Sequence, residues 1–448
     1  MTAGTNHEEI TNWLVETAIS LGAGEAEAYT IGSQELSIEV SNQEIETIKI
    51  SENTGVGVRI VQEGRIGFAY NSSLSRQSLL EMLERAVANA KQATPDPYNT
   101  LPQEGNCQQV DIFDPDLSHV SLEEKINFAM EIEKRVRSFD SRIKVVENCT
   151  YQDTYFRVSL SNSKGISGSY QGTYCGAFAN VVAEQDGDNQ TGFGFQYAHK
   201  FKDLNPVLVG QEAAFRAVRM LGATSTSTRK SIVVLEPYIA ASFLGIIGQS
   251  LSSEAVQKGR SLFAKKIKTK VASPLVNVID DGTLAEGIFT APFDAEGVPT
   301  RRTNLITEGV LQGYLYNTYT AARDGVVSTG NSVRYSFKGL PQVGTTNIFI
   351  SPGEMPESQL IRELDKGLYI TEIMGLHTAN PITGDFSVGA AGLLIENGEL
   401  TKPFRGVAIA GNMMELFELI DGIGNNLRFF GGKGSPTIRV SRLAVSGS

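Results

Sequence analysis

The stretch GVGVRIVQEGRIGFAY (Gly55–Tyr70) decides the fold class of the first half of the chain. Val56, Val58 and Ile60 alternate with small or polar residues, and so do Ile66, Phe68 and Tyr70. That period of two is the signature of half-buried strands, and Glu63-Gly64 between them fits a tight hairpin turn. Upstream, Leu36, Ile38 and Val40 alternate in the same way, so a run of antiparallel strands is expected here. Helices flank it. Thr5 and Glu8 form a capping-box pattern ahead of Ile10, Trp13, Leu14, Ala18 and Leu21, with Gly22 as the stop. A second helix opens at Ser75, carries Leu79, Leu83, Ala86, Val87 and Ala90, and ends before Pro95 and Pro97.

Residues 95–118 are rich in Pro, Asp and Asn and read as a connector. Ser121 with Glu124 is another capping box, starting a helix with Leu122, Ile126, Ala129, Ile132, Val136 and Phe139 on one face. Strands return from about 143 to 200, with turn signals at 162–165 and 186–189, and a short helix near 209–221 ends at Gly222. The run TSTST (Thr224–Thr228) reads as a linker. This divides the chain into an N-terminal α+β domain (1–225, with a possible sub-boundary near 95–118) and a C-terminal domain (226–448). The second half opens with an apolar strand (231–235) and a helix from Pro237 to about Leu251. It then turns almost wholly to alternating segments, with hairpin signals at Asp281-Gly282, Glu308-Gly309 and Asn397-Gly398 and one more helix near 356–367. The fold class is α+β: helices with an antiparallel sheet, then a β-rich, barrel-like domain with few helices.

Composition excludes several functions. The 448 residues carry 39 Lys plus Arg against 50 Asp plus Glu, a net charge of −11. That balance disfavours a general nucleic-acid or anionic-membrane binder, which needs clustered positive charge. Three scattered cysteines (Cys107, Cys149, Cys175) make no disulfide framework and no CxxC pair, which fits a reducing cytoplasm. The N-terminal segment lacks the basic and apolar regions of a signal peptide, and the apolar stretch at 232–248 is broken by Glu236-Pro237, so no membrane span is expected.

The residues offer no self-evident catalytic centre. The four histidines (His7, His119, His199, His377) lie far apart, so no helical HExxH pair exists. Each is read as a surface or satisfied core residue, with His377 the best exception, in GLHTANPITGDFS with Asp385 eight residues on. No GxSxG elbow occurs. GGKGS (Gly431–Ser435) fails as a phosphate loop, because Lys433 precedes Gly434 rather than Ser or Thr and a strand follows; it reads as a flexible hairpin loop. The carboxylate pairs Asp280-Asp281 and Asp294 with Glu296 sit beside Gly or Pro and read as turn chemistry.

Several ordered motifs carry a resemblance to the TldD/PmbA family, also labelled modulators of DNA gyrase and counted among metallopeptidases. They are VASPLVNVIDDGT (271–283), FDAEGVPTRRTNLITEGVLQGYLYNTYTA (293–321), STGNSVR (328–334), ITGDFSVGAAGLLIENGELTKP (382–403), VAIAGNMMELF (407–417) and IGNNLRF (423–429). The opening stretch, 55–70, agrees more loosely. The resemblance implies two branches. One carries an HExxxH zinc motif on the helix before the VASPL-like strand and a Cys ligand near the C-terminus; the PmbA or TldE branch lacks both and pairs with a TldD-like chain. Here the motif positions fall on Leu244, Gly245, Ile246, Ile247, Gly248 and Gln249, and the C-terminal loop reads FFGGKGS without Cys. Leu244 cannot bind zinc, Gly245 cannot act as a base, and Gln249 is a poor substitute for imidazole.

The resemblance therefore implies a cytoplasmic PmbA/TldE-like subunit with no cofactor of its own. Zinc is expected in a TldD-like partner, and the pair would process unfolded or leader peptides. Association with a second copy of this chain is the other possible partnership. His377 and the ITGDFS segment supply candidate groove residues for an extended peptide bound by strand addition: His377, Thr383, Gly384, Asp385, Phe386 and Ser387. Two alternatives stay open: an autonomous peptidase whose site differs from the family's, using His377, Asp385 or another cluster, and a regulatory protein binding DNA gyrase.

Overall fold

The computed structural model describes residues 7–447. The Thr5–Glu8 capping pattern starts outside the described residues; the helix it was read to open, α1, runs His7–Ser20. Three long strands follow, β1 (Glu25–Ser41), β2 (Glu44–Gln62) and β3 (Arg65–Asn71), and then α2 (Arg76–Gln92). Beyond the connector come α3 (Leu122–Phe139), β4 (Ile143–Asn162), β5 (Ser167–Gln185), β6 (Asp188–Ala198) and α4 (Pro206–Val218). The strands form one antiparallel sheet in the order β3-β2-β1-β4-β5-β6. Local chemistry sets its turns. Glu63 and Gly64 both adopt positive φ, 50° and 73°, as a two-residue primed hairpin requires, and Gln62 pairs with Arg65. Ser75 caps α2, and Ser121 with Glu124 forms the complete capping box of α3. The helices bury two apolar clusters against this sheet, α1 and α2 at one end and α3 and α4 at the other.

The second half begins with β7 (Arg229–Leu235) and α5 (Pro237–Ser250). Next come β8 (Val278–Asp281), β9 (Arg302–Thr307), β10 (Val310–Leu311), and a short ladder of β11 (Ser332–Val333) with β12 (Gln342–Val343). Then follow β13 (Ile348–Ile350), β14 (Lys366–Met374), β15 (Asp385–Glu396) and β16 (Glu399–Asn412). The last strands are β17 (Ile420–Ile423), β18 (Arg428–Phe430), β19 (Lys433–Ser435) and β20 (Ile438–Ser446). In the order β16-β15-β14-β7-β20, with β16 also pairing β20, five strands close into a barrel. Closure removes the free edges an open sheet would leave. A separate sheet, β10-β9-β8-β13-β19-β18, lies beside it. The inner face of α5 (Ile239, Phe243, Leu244, Ile247) shares one core cluster with strands of both sheets.

Two expectations need correction. Asp281-Gly282 is not a tight hairpin. Asp281 pairs directly with Arg302, and the intervening chain leaves the sheet as an excursion. Asn347 holds that excursion, donating to the Asp281 carbonyl at 2.8 Å and accepting from the Phe289 N–H at 3.0 Å. The carboxylate pairs, read as turn chemistry alone, are buried. Asp281 does cap Thr283, and Asp294 does accept from Glu296 and Val298, as turns require. Asp280 and Glu296, however, are fully buried and serve long-range contacts. Asp280 accepts from the Thr346 N–H and hydroxyl and from Asn331. Glu296 pairs with Arg59 of β2 at 2.8 Å, while Arg59 also holds Glu27 at 2.7 Å and Arg334 closes on Glu27. This charge cluster, with Phe293 and Phe337 packed against Tyr29, Val158 and Leu160, ties the excursion to the first sheet.

Candidate functional site

A cavity of about 520 Å³ opens where the outer strand of the first sheet, β6, meets the outer strand of the second, β18, with α5 as its third wall. That size suits a small ligand or one to two residues of a peptide. The sequence prepares each wall. In β6, FGF and Tyr197 alternate: Phe193, Phe195 and Tyr197 share one face, while Gly192 and Gly194 share the other. The glycines are needed because α4 lies directly on them; a Cβ at Gly194 would sit 2.1 Å from the Val209 carbonyl oxygen. Proline at its first turn starts α5, and Tyr238, Ala241, Ser242, Gly245, Ile246 and Gln249 recur at helical spacing along its cavity face.

Three rings from three elements form the aromatic wall. Tyr238 stands 5.2 Å from Phe430 and 6.2 Å from Phe195, and Phe195 stands 5.8 Å from Phe430. A charge ladder behind them fixes their place. Arg216 lies over the Phe193 ring at 4.6 Å and near Tyr238 at 5.7 Å. It pairs with Glu212 and Glu236; Arg428 joins Glu212 at 3.0 Å, and Arg219 joins Glu236 at 3.1 Å. Burial alone would raise the Glu212 carboxyl, but Arg428 and Arg216 outweigh it and hold it below its ordinary value. Glu372 faces Arg216 and Arg219 as well, and its carboxyl is raised by burial, so three arginines stand against three carboxyl groups behind the wall.

Of the positions where the family motif would lie, Gly245 and Gln249 border the cavity, whereas Leu244 is fully buried in the core behind the helix. His377, in the single turn Leu376–Thr378, reaches the rim. Lys433 of β19 lies across α5 at Gly245: a Cβ there would stand 2.8 Å from its Nζ and 2.9 Å from its Cε. A side chain at 245 and the lysine as placed exclude one another. The polar groups of the cavity are phenols, a hydroxyl, an amide, one imidazole and one ammonium. Zinc takes several imidazole, thiolate or carboxylate ligands, and an ammonium repels it. The donor set does not fit that metal, and among the described residues no cluster of three or more His, Cys, Asp and Glu could hold one.

The remaining groove candidates lie elsewhere. Thr383 and Gly384 lie in the turn into β15, and Asp385, Phe386 and Ser387 open that strand; none borders this cavity. Asn412 donates to Asp385 at 2.9 Å and to the Thr383 carbonyl at 2.8 Å, and with Thr383 it holds the Asp385 carboxyl below its ordinary value. Phe386 is buried against Phe243, with ring centroids 5.2 Å apart, so its side chain serves the core. Thr383, Asp385 and Ser387 are exposed. The loop touches the site through His377, and Ser250 at the end of α5 anchors it by donating to the Pro381 carbonyl. The aromatic wall and Lys433 were missed from sequence. Their signal was the alternation FGFQY, with aromatics on one face and glycines on the other, and the lysine inside GGKGS.

A helix-flanked antiparallel sheet, joined to a closed barrel and a second sheet around this cavity, defines a known class. Family models describe it in three parts: PmbA/TldA metallopeptidase domain 1 over residues 26–90, the central domain over 115–221 and the C-terminal domain over 228–447. The chain belongs to the PmbA/TldD metallopeptidase family. It is 27% identical to the metalloprotease PmbA of Escherichia coli O157:H7, covering 92% of this chain and 91% of that one. It is 26% identical to a metalloprotease TldD homolog of Haemophilus influenzae, covering 88% and 87%. A solved Thermotoga maritima protein described as a modulator of a DNA gyrase superposes with a TM-score of 0.91 at 26% identity, covering 98% of this chain and all of the other. TldE of Thermococcus kodakarensis shares the fold, with a TM-score of 0.91 at 22% identity and the same coverage. No helix among the described residues is long and apolar enough to cross a membrane.

Proposed function

We propose that this chain is a PmbA/TldE-like subunit of a cytoplasmic TldD/PmbA-type peptidase complex, with a TldD-like partner supplying zinc and the general base. The chain itself binds no cofactor and shapes the chamber that receives unfolded or leader peptides. One observation carries the reading: Lys433 and Gly245 occupy the place where the resemblance puts metal-binding chemistry, and the groups around them suit a polar organic ligand rather than a cation. Two outer strands beside the cavity offer backbone N–H and C=O groups to an extended chain. An autonomous His377–Asp385 centre is disfavoured, because Asp385 is engaged by Asn412 and lies off the cavity.

The test measures peptide cleavage and zinc content on the same samples: this chain, a TldD-like chain, and their mixture, with an unfolded polypeptide. The expected result is turnover in the mixture, with zinc following the partner. Cleavage or stoichiometric zinc in the lone chain overturns the proposal. Binding to gyrase with no turnover in any mixture would favour the regulatory alternative.

A further inference from the structure

We propose that the cavity beside α5 receives the C-terminal carboxylate of an extended peptide, with Lys433 Nζ as its cation and the Phe195, Tyr238 and Phe430 rings as the seat of an apolar last side chain. The inference rests on the peptide-handling reading above and names the part of the peptide that is held.

Charge comes first. The arginines behind the wall are committed to Glu212 and Glu236. Lys433 has no ion-pair partner among the described residues, and its side chain is exposed at the cavity. Its aliphatic stem runs across backbone that Gly245 leaves bare, which fixes where the ammonium can stand. One ammonium, with His377 at the rim as a second hydrogen-bonding group, matches a monoanion. A phosphate group carries more charge and is met by forked arginines or several backbone N–H groups, and no arginine borders this cavity.

Shape and edges point the same way. The aromatic wall presents the faces of Phe195, Tyr238 and Phe430, with Arg216 behind the Tyr238 ring, so it favours a flat or branched apolar side chain beside the carboxylate. The outer strands β6 and β18 flank the opening, so the residues preceding the terminus can add to a sheet edge while the terminus itself is held.

The experiment follows fluorescence anisotropy of a labelled hexapeptide ending in Phe, as the free acid and as the carboxamide, on the full chain. The free acid is expected to bind roughly tenfold tighter or better, the scale of one charge-assisted contact. Lys433→Met abolishes that preference, and Lys433→Arg retains it. Gly245→Val, which displaces the lysine, abolishes it too while leaving the circular dichroism spectrum unchanged. Phe430→Ala weakens acid and amide alike. Equal binding of acid and amide by the unsubstituted chain overturns the carboxylate site but leaves the peptide reading standing. A preference that survives Lys433→Met removes the lysine from it and overturns the assignment. No binding of either peptide, alone or with a TldD-like partner present, overturns both.

Discussion

Replacing Arg59 by Met tests whether the buried charge cluster holds the two halves of the molecule together. Arg59 is 4% exposed and spans Glu27 and Glu296, which are 1% and 0% exposed. Both carboxylates outweigh the burial that would otherwise weaken the guanidinium's hold on its proton. In the variant Glu27 keeps Arg334, but Glu296 loses its one cation among the described residues and is left with Thr318, whose N–H donates at 2.9 Å. Asp294 lies beside it, and burial and Glu296 already push the Asp294 carboxyl well above its ordinary range. Stranding one buried carboxylate costs about 3–5 kcal/mol. Hydrogen exchange of the Thr318 amide reads this directly, because that N–H donates to Glu296. Its opening equilibrium should rise by about two to four orders of magnitude, with a matching fall in the urea midpoint. Arg59→Met combined with Glu296→Met removes both charges and should recover most of the loss. A single-variant cost below about 1 kcal/mol, or a double cost equal to the sum of the singles, would refute the reasoning.

Three further outcomes are expected. Burial pushes Asp280 up to about 6, against the three bonds it accepts. A raised carboxyl contributes stability that is present below the unfolded value and is lost as pH rises through the folded one. Stability should therefore fall between about pH 4 and 6, by up to about 3 kcal/mol, and Asp280→Asn should flatten that leg of a urea-midpoint profile. Burial also raises the thiol of Cys149 and pushes Cys175 up to about 12, whereas Cys107 is exposed. Ellman's reagent should thus label one thiol in the native chain and three after denaturation. Gly194→Val would drive a side chain into the α4 backbone, so it should cost several kcal/mol, on the order of an overpacked core, and should detach α4 from β6 in hydrogen exchange.

Local chemistry was legible from the residues alone. The strand through Val56, Val58 and Ile60 and the hairpin turns at Glu63-Gly64, Glu308-Gly309 and Asn397-Gly398 depend on neighbours in sequence and formed as read. So did the caps at Ser75 and Ser121, for the same reason. Phe337 and Arg59 nevertheless cover the other face of the strand through Val56, Val58 and Ile60, so it is buried on both sides rather than half-buried. Family membership was also legible, because several ordered motifs recur along the chain. Tertiary structure decided what depends on distant partners. Asp281-Gly282 has the composition of a hairpin, yet Asn347, far along the chain, draws the following segment out of the sheet. Glu296 reads as a turn residue until Arg59 arrives from the other half. Lys433 looked like loop punctuation. Only when β19 packs on α5 does its side chain cross Gly245, beside an aromatic wall drawn from β6, α5 and β18. Periodicity and turn propensity act within a few residues, while charge pairing and cavity shape arise where the folded chain brings remote residues together.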